Sequence, residues 1–238
     1  MFAIAIDGPA SSGKSSMAKK VAEKLNILHL NTGQLYRAIG LYAFDKGYFS
    51  RLDKDGNAIT NDKEVEDVIN NAKIEVKFID GRQHTFLNGD DVTDLLHTKI
   101  ISDYSSRVSA VPKIRDYVSN IQRDVASKNN LVMEGRDVTS HVLPNAKYKF
   151  FVTASPEVRA ERRLNEMLEK GLKYSYEEIL QDIIQRDNRD VTRDYCPLII
   201  VPDAIVLDTS NNTLDEMVEK MLSYIKEWIC FFIFYIQY

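Results

Sequence analysis

Three groups of residues in this chain carry the types and spacings that phosphate chemistry needs. The first is Gly8-Pro9-Ala10-Ser11-Ser12-Gly13-Lys14-Ser15, which fits G-x-x-x-x-G-K-[ST] and is followed by Ser16. A loop of small residues lets successive backbone N–H groups point inward at a polyphosphate, and a helix starting behind it adds its positive end. Lys14 would then reach the β- and γ-phosphates, and the Ser15 hydroxyl would coordinate Mg²⁺. The second group is Arg37 in "NTGQLYR" and Arg136 in "EGRD". Each lies near a glycine after an apolar run, and two guanidiniums could grip one phosphate through bidentate charge-assisted bonds. Either arginine alone reads equally well as half of a surface ion pair. The third is "QRDNRDVTRDYCPL", where Arg186, Asp190 and Arg193 stand at i, i+4 and i+7 on one helical face. That pattern is either a solvated charge ladder or a mobile lid that brings arginines to a phosphoryl group and excludes water.

The glycine loop alone does not separate a kinase from a switch GTPase or a motor ATPase. A kinase must also hold an acceptor against the donor, because its catalysis is mostly positioning and charge neutralisation. Paired arginines and a lid arginine meet that need; a switch has little use for them. Two rivals remain at this point: a small phosphate-loop kinase for another monophosphate or hydroxyl acceptor, and a non-enzymatic nucleotide-dependent switch.

These residues need elements to position them. "FAIAID" reads as a buried parallel strand, and Lys14 to Leu25 as a helix with Met17, Ala18, Val21, Ala22 and Leu25 inward. "ILHLNTG" reads as a strand ending at Gly33, and "QLYRAIGLYAFDKG" as a second helix. That order argues for an α/β fold with a parallel sheet and helices on both faces. Residues 50–95 break the pattern: "KIEVKF", a turn at Asp80-Gly81 and "HTFLNG" read as a small antiparallel insertion. Helices resume from Lys99 to Ser127. "NLVM", "KYKFFVTA" and "AIVLDTS" read as further strands. Glu157–Gly171 and Ser175–Arg193 read as long charged helices, and Leu214–Trp228 as a last amphipathic one. One kinase domain over 1–238 is expected, with an inserted acceptor-binding region at about 41–100, a helical lid at about 157–195 and an apolar tail at about 228–238.

Composition narrows the classes. The chain has 238 residues and a net charge of −4, so it has no broad basic surface for nucleic acid. Cys196 and Cys230 stand far apart, and His29, His84, His97 and His141 show no ligand spacing, so neither a disulfide scaffold nor a zinc site is expected. No basic leader opens the chain, and a cytoplasmic monomer is the expectation. "WICFFIFYI" near the C-terminus is far shorter than the roughly 20 residues of a membrane span. Of three readings, a tail packed on the core, a partner-binding or membrane-touching tail, and an extension without a role, the first and the last are favoured. "DKDGNAITNDKE", Asp53 to Glu64, imitates a calcium loop, but Ala58 and Thr60 stand where glycine and an aliphatic residue belong, so it reads as a polar loop.

The sequence also resembles the bacterial-type cytidylate kinases. "IAIDGPASSGKSS", "LNTGQLYRA", "SRVSAVPKIRD", "GRDV…VLPNA", "QRDNRDVTRDYCPL" and "DAIVLDTS" fall in that family's order and span nearly the whole chain. The resemblance implies transfer from MgATP to CMP or dCMP. It implies that Gly8, Pro9, Ala10, Ser11, Ser12, Gly13, Lys14, Ser15 and Ser16 bind ATP phosphates, and that Arg37 and Arg136 hold the acceptor phosphate. It gives Ser106, Arg115 and Asp137 to the cytosine, Arg186 and Asp190 to sugar and phosphate, and Arg193 to the moving phosphoryl group. Thr32 matches a hydroxyl position near the acceptor CMP, and Glu134 an acidic one there. Departures from the family are Asn31-Thr32 for an Asp-Ser pair, Glu134 for an Asp, and Thr139-Ser140 for a Gly-Thr pair.

Overall fold

The computed structural model describes residues 1–53, 58–169 and 171–235, with the backbone alone from 226 onward. The chain divides into two compact units. One comprises Phe2–Ile27 and Leu131 to the C-terminus, and the other comprises Met1 and Leu28–Asn130.

The first unit is built on parallel strands β1 (Ala3–Asp7), β6 (Leu131–Gly135), β7 (Tyr148–Thr153) and β8 (Ile205–Asp208), in the order β6–β1–β7–β8. Asp7 pairs with Gly135 and Phe151, and Thr153 with Asp208, so all four strands end at one edge of the sheet. The consecutive strands β6 and β7 lie on opposite sides of β1, and at such a switch point the loops beyond the strand ends frame a crevice. Ile4, Ile6, Val132, Phe150, Val152 and Leu207 present one apolar face. Helix α1 (Lys14–Leu25) covers it with Met17, Ala18, Val21 and Ala22, and helix α8 (Leu214–Tyr235) with Met217, Val218, Met221, Leu222 and Ile225. Each fully buried aliphatic side chain contributes roughly 1.5–3 kcal/mol to holding these layers together. Helices α6 (Pro156–Glu169) and α7 (Tyr176–Thr192) form a pair around Ala160, Ile179 and Ile183. Ser175 starts α7 with a reciprocal cap: its hydroxyl accepts from the Glu178 N–H, and the Glu178 carboxylate accepts from the Ser175 N–H.

The second unit contains β2 (Leu28–Asn31), α2 (Thr32–Asp45), α3 (Asp62–Asn71), the antiparallel strands β3 (Ile74–Ile79), β4 (Arg82–Leu87) and β5 (Asp90–Asp91), a short 3₁₀ turn at Thr93–His97, α4 (Lys99–Val108) and α5 (Pro112–Lys128). The β3–β4 turn has left-handed backbone at Asp80 and Gly81, φ 51° and 73°, as the twist of a two-residue hairpin requires. Helices α2 and α4 cross so closely that a Cβ at Gly40 would lie 2.8 Å from the Ser105 nitrogen.

The parallel α/β class and the small antiparallel sheet agree with the sequence expectation. Several boundaries do not. The strand expected to reach Gly33 stops at Asn31, whose extended backbone caps α2, so Thr32 and Gly33 belong to the helix. The region read as purely antiparallel contains α3, started by the Asn61 side chain accepting from the Glu64 N–H. That helix takes up the last three positions of the calcium-like stretch, while Lys54–Asn57 lie outside the described residues. The last helix runs seven residues past Trp228; the packing of its tail side chains lies outside the described residues. Among the described residues no helix is long and apolar enough to cross a membrane.

Candidate active site

Gly8 leaves β1 with φ +153°, and a Cβ there would sit 2.0 Å from the Val152 carbonyl oxygen of β7. No other residue fits so close to the neighbouring backbone. Ser11 and Gly13 then take left-handed backbone, φ 58° and 84°, folding the loop back on the start of α1. Such alternation turns N–H groups toward one point, which is the geometry of an anion nest. The loop is braced from behind. The Thr209 hydroxyl donates to the Ser12 carbonyl at 3.0 Å, and Arg162 grips Thr209 at its hydroxyl (2.8 Å) and its carbonyl (2.7 Å).

Lys14 is buried and donates from Nζ to the Pro9 carbonyl at 2.9 Å, so its ammonium lies over the loop. Burial lowers its pKa to about 7, and Arg136 and Arg186 push the same way against the pull of Glu134 and Asp190. An ammonium in that state gains strongly from added negative charge. The Ser15 hydroxyl donates to Glu134 Oε2 at 2.7 Å, which places a hydroxyl and a carboxylate oxygen side by side at the loop. Two hard oxygen donors suit a magnesium ion.

Glu134 lies within β6 rather than beyond it, because the strand runs to Gly135; Arg136 and Asp137 follow at once. Arg136 Nε donates to Asp190 Oδ2 at 2.9 Å, and Arg193 lies 3.6 Å from the same carboxylate. Burial raises the Asp190 pKa, but Arg136, Arg186 and Arg193 outweigh it and hold the carboxyl below its ordinary value. The expected single helical face for Arg186, Asp190 and Arg193 is corrected here. Helix α7 ends at Thr192, and Arg193 is its extended C-cap, reaching back to Asp190 and donating to the Cys196 carbonyl at 2.6 Å. Asp137 is buried at the start of a single π-type turn, Val138–Val142. Thus Lys14, Ser15, Glu134, Arg136, Arg186, Asp190 and Arg193 share one charged neighbourhood in this unit.

Two residues that sequence reasoning passed over hold that neighbourhood in shape. Asp7 is fully buried and accepts from the Val138 N–H (2.9 Å), the Thr139 N–H (2.7 Å) and the Thr139 hydroxyl (2.6 Å), tying the end of β1 to the turn after Asp137. Burial pushes its carboxyl up to about 6 despite these donors. Arg159 of α6 is 3% exposed and bonds the Ala154 carbonyl at 2.9 Å, the Ala10 carbonyl at 3.3 Å and the Asp187 carboxylate at 2.6 Å.

The other predicted residues lie in the second unit. Thr32 is buried in the first turn of α2, and Arg37 stands one turn further along, not at a strand end, donating to the Leu96 carbonyl at 2.8 Å. Arg115 of α5 is 1% exposed, donates to the Ser109 carbonyl at 2.8 Å and lies 5.4 Å from the Tyr36 ring centre. Ser106 is half-buried at the end of α4, where its carbonyl accepts from the Ser109 hydroxyl at 3.0 Å. Ser106 and Arg115 therefore meet at Ser109.

The model of the cytidylate kinase family matches residues 4–227. A cytidylate kinase of Caldicellulosiruptor bescii is 39% identical over 219 residues, covering 92% of this chain and 93% of that protein. One from Fervidobacterium nodosum is 41% identical over 224 residues, covering 94% and 96%. Among solved structures, an uncharacterised protein from Eubacterium ventriosum superposes with a TM-score of 0.52 at 16% identity, covering 95% of this chain and 99% of that one. This last likeness concerns the fold alone.

Proposed function

The chain belongs to the cytidylate kinase family, and on that premise we propose which of its residues carry the reaction. The activity itself is transfer of the γ-phosphoryl group of ATP to CMP, giving ADP and CDP. The loop Gly8–Ser16 binds the ATP phosphates through its N–H groups, with the Lys14 ammonium on the β- and γ-oxygens. Ser15 and Glu134 would hold the magnesium ion of MgATP, which supplies charge shielding between those oxygens. Arg37 and Arg136 hold the acceptor phosphate. Asp190 keeps Arg136 oriented, and Arg186 and Asp190 also take up the sugar and phosphate. Arg193 neutralises charge on the moving phosphoryl group, a contact strongest in the transition state.

Ser106, Arg115 and Asp137 read the base. Arg115 can donate to the cytosine O2 and N3, and Asp137 can accept from the exocyclic amine. Uracil would turn its O4 on that carboxylate and leave both groups unpaired, which disfavours it. dCMP is expected as a second acceptor.

The observation that carries these assignments is the Lys14, Arg136, Asp190 and Arg193 group beside the loop. Four charged side chains stand there, and Lys14 is held near pKa 7 by burial and its cationic neighbours. A site built that way favours bound phosphate over its absence. Release of ADP, measured with CMP, dCMP, UMP, AMP and shikimate as acceptors, tests the base assignment. CMP and dCMP should lead; an AMP or UMP rate well above that of CMP would overturn the roles given to Arg115 and Asp137.

A further inference from the structure

We infer that Gln83, on the inserted hairpin, is a positioning residue for the acceptor nucleotide; this rests on the assignment of Thr32 and Arg37 to that nucleotide. The side chain of Gln83 treats the backbone of Asn31 as a neighbouring strand would. Its Oε1 accepts from the Asn31 N–H at 2.7 Å, and its Nε2 donates to the Asn31 carbonyl at 3.3 Å. Nε2 also donates to Thr85 Oγ1 at 3.2 Å, and the Thr85 hydroxyl donates to Gln34 Oε1 at 3.1 Å. Thr85 is fully buried, and its own N–H is taken by the Thr93 hydroxyl at 2.9 Å. The Leu96 carbonyl, a few residues on, accepts from Arg37.

The insertion therefore holds the acceptor helix at Asn31, Gln34 and Arg37, each about one turn from the next. Gln83 and Thr85 are two apart on β4, so they leave the strand on the same face. The cap residue of α2 fixes where the N–H groups of its first turn point. The Leu96 carbonyl aims the Arg37 guanidinium, so the insertion and the turn after it also bear on the direction of Arg37. With the clamp loosened, substrate binding must supply the ordering, and affinity falls by that cost. The effect belongs to the acceptor side, because the bonds described above run between α2, the insertion and the turn after it.

The test compares wild type with Gln83→Ala, Gln83→Glu and Thr85→Val. Steady-state kinetics in both substrates would be read beside amide hydrogen exchange of Asn31 and the first turn of α2. Gln83→Ala should raise KM for CMP about tenfold, the scale expected for losing its two hydrogen bonds to Asn31, with kcat and KM for ATP within about twofold. Exchange at Asn31 should quicken. Gln83→Glu, which still accepts from Asn31 but cannot donate to it, should fall between. Asn88→Gly is the control for general loosening, since it removes the acceptor for the Lys73 N–H elsewhere on the same sheet (2.8 Å) without touching α2. It should leave KM for CMP unchanged. A folded Gln83→Ala enzyme with wild-type KM for CMP overturns the inference, whether or not exchange quickens. So does a parallel loss in both substrates that Asn88→Gly reproduces. A wild-type enzyme inert toward CMP would overturn the acceptor assignment instead, while the Asn31 exchange rate still reports on the clamp.

Discussion

The Arg159 guanidinium lies 2.6 Å from the Asp187 carboxylate and, through another nitrogen, 3.3 Å from the carbonyl of Ala10 in the phosphate loop. One side chain on α6 thus joins the loop to α7, the helix that carries Arg186 and Asp190 and is capped by Arg193. Asp187→Asn should misplace those groups and lower kcat by about tenfold to a hundredfold, with little change in ATP affinity. Arg159→Lys should lower kcat at least as far, since it also disturbs the bonds to Ala154 and Ala10, and the double variant should be scarcely worse than Arg159→Lys alone, because the contact with Asp187 is already lost there. Steady-state kinetics on the four proteins checks this; additive losses would contradict it.

Arg193 sits beyond the end of α7, held at the Cys196 carbonyl and near Asp190. On the proposed role, its charge is needed chiefly when the phosphoryl group moves. Arg193→Ala should lower kcat by about a thousandfold, the scale of arginines that neutralise such transition states. Equilibrium binding of ATP should stay within about twofold. Equal losses in both would assign Arg193 to ground-state binding.

Lys14→Ala removes the ammonium over the loop. Turnover should fall by at least about a thousandfold, and ATP binding, followed by titration calorimetry, should weaken with it. Circular dichroism should show an intact fold, since a buried lysine held near pKa 7 costs folding free energy rather than supplying it. An active Lys14→Ala enzyme would remove the loop from the mechanism.

Asp7 gives a pH dependence whose sign follows from its raised pKa. A carboxyl at about 6 in the folded chain against 3.8 unfolded binds more protons when folded between those values. Stability from this group is therefore greatest below pH 4 and declines as pH rises through 6, by on the order of 3 kcal/mol. Against Asp7→Asn, which does not titrate, the advantage of wild type in urea unfolding should narrow from pH 4 to pH 7. An advantage that widens over that range would contradict the assignment.

Much of this site was legible because backbone geometry restricts residue type. Gly8 and Gly13 mark positions where a Cβ would lie 2.0 Å from a carbonyl or where the chain turns left-handed, and Asp80-Gly81 marks the hairpin. Arg159, Arg162 and Asp7 were not legible. A buried arginine inside "PEVRAERR" looks like any solvated one until its carbonyl partners are placed, and Asp7 reads as the polar end of a strand. Helix α3 hid in a polar segment because only Val65 and Val68 face inward. Gln83 was invisible because its partner is backbone 52 residues away. The helical ladder failed at Arg193 for the opposite reason: periodicity extended a helix past the point where its backbone turns extended.

The assignments stand or fall together on one complex. A crystal structure with adenosine and cytidine joined through five phosphates should show the loop N–H groups and Lys14 on the adenosine side of the chain, with Arg37 and Arg136 both on the phosphate nearest the cytidine. Arg115 and Asp137 should meet the base edge. Arginines turned away from that phosphate, with the cytosine edge in solvent, would contradict the account.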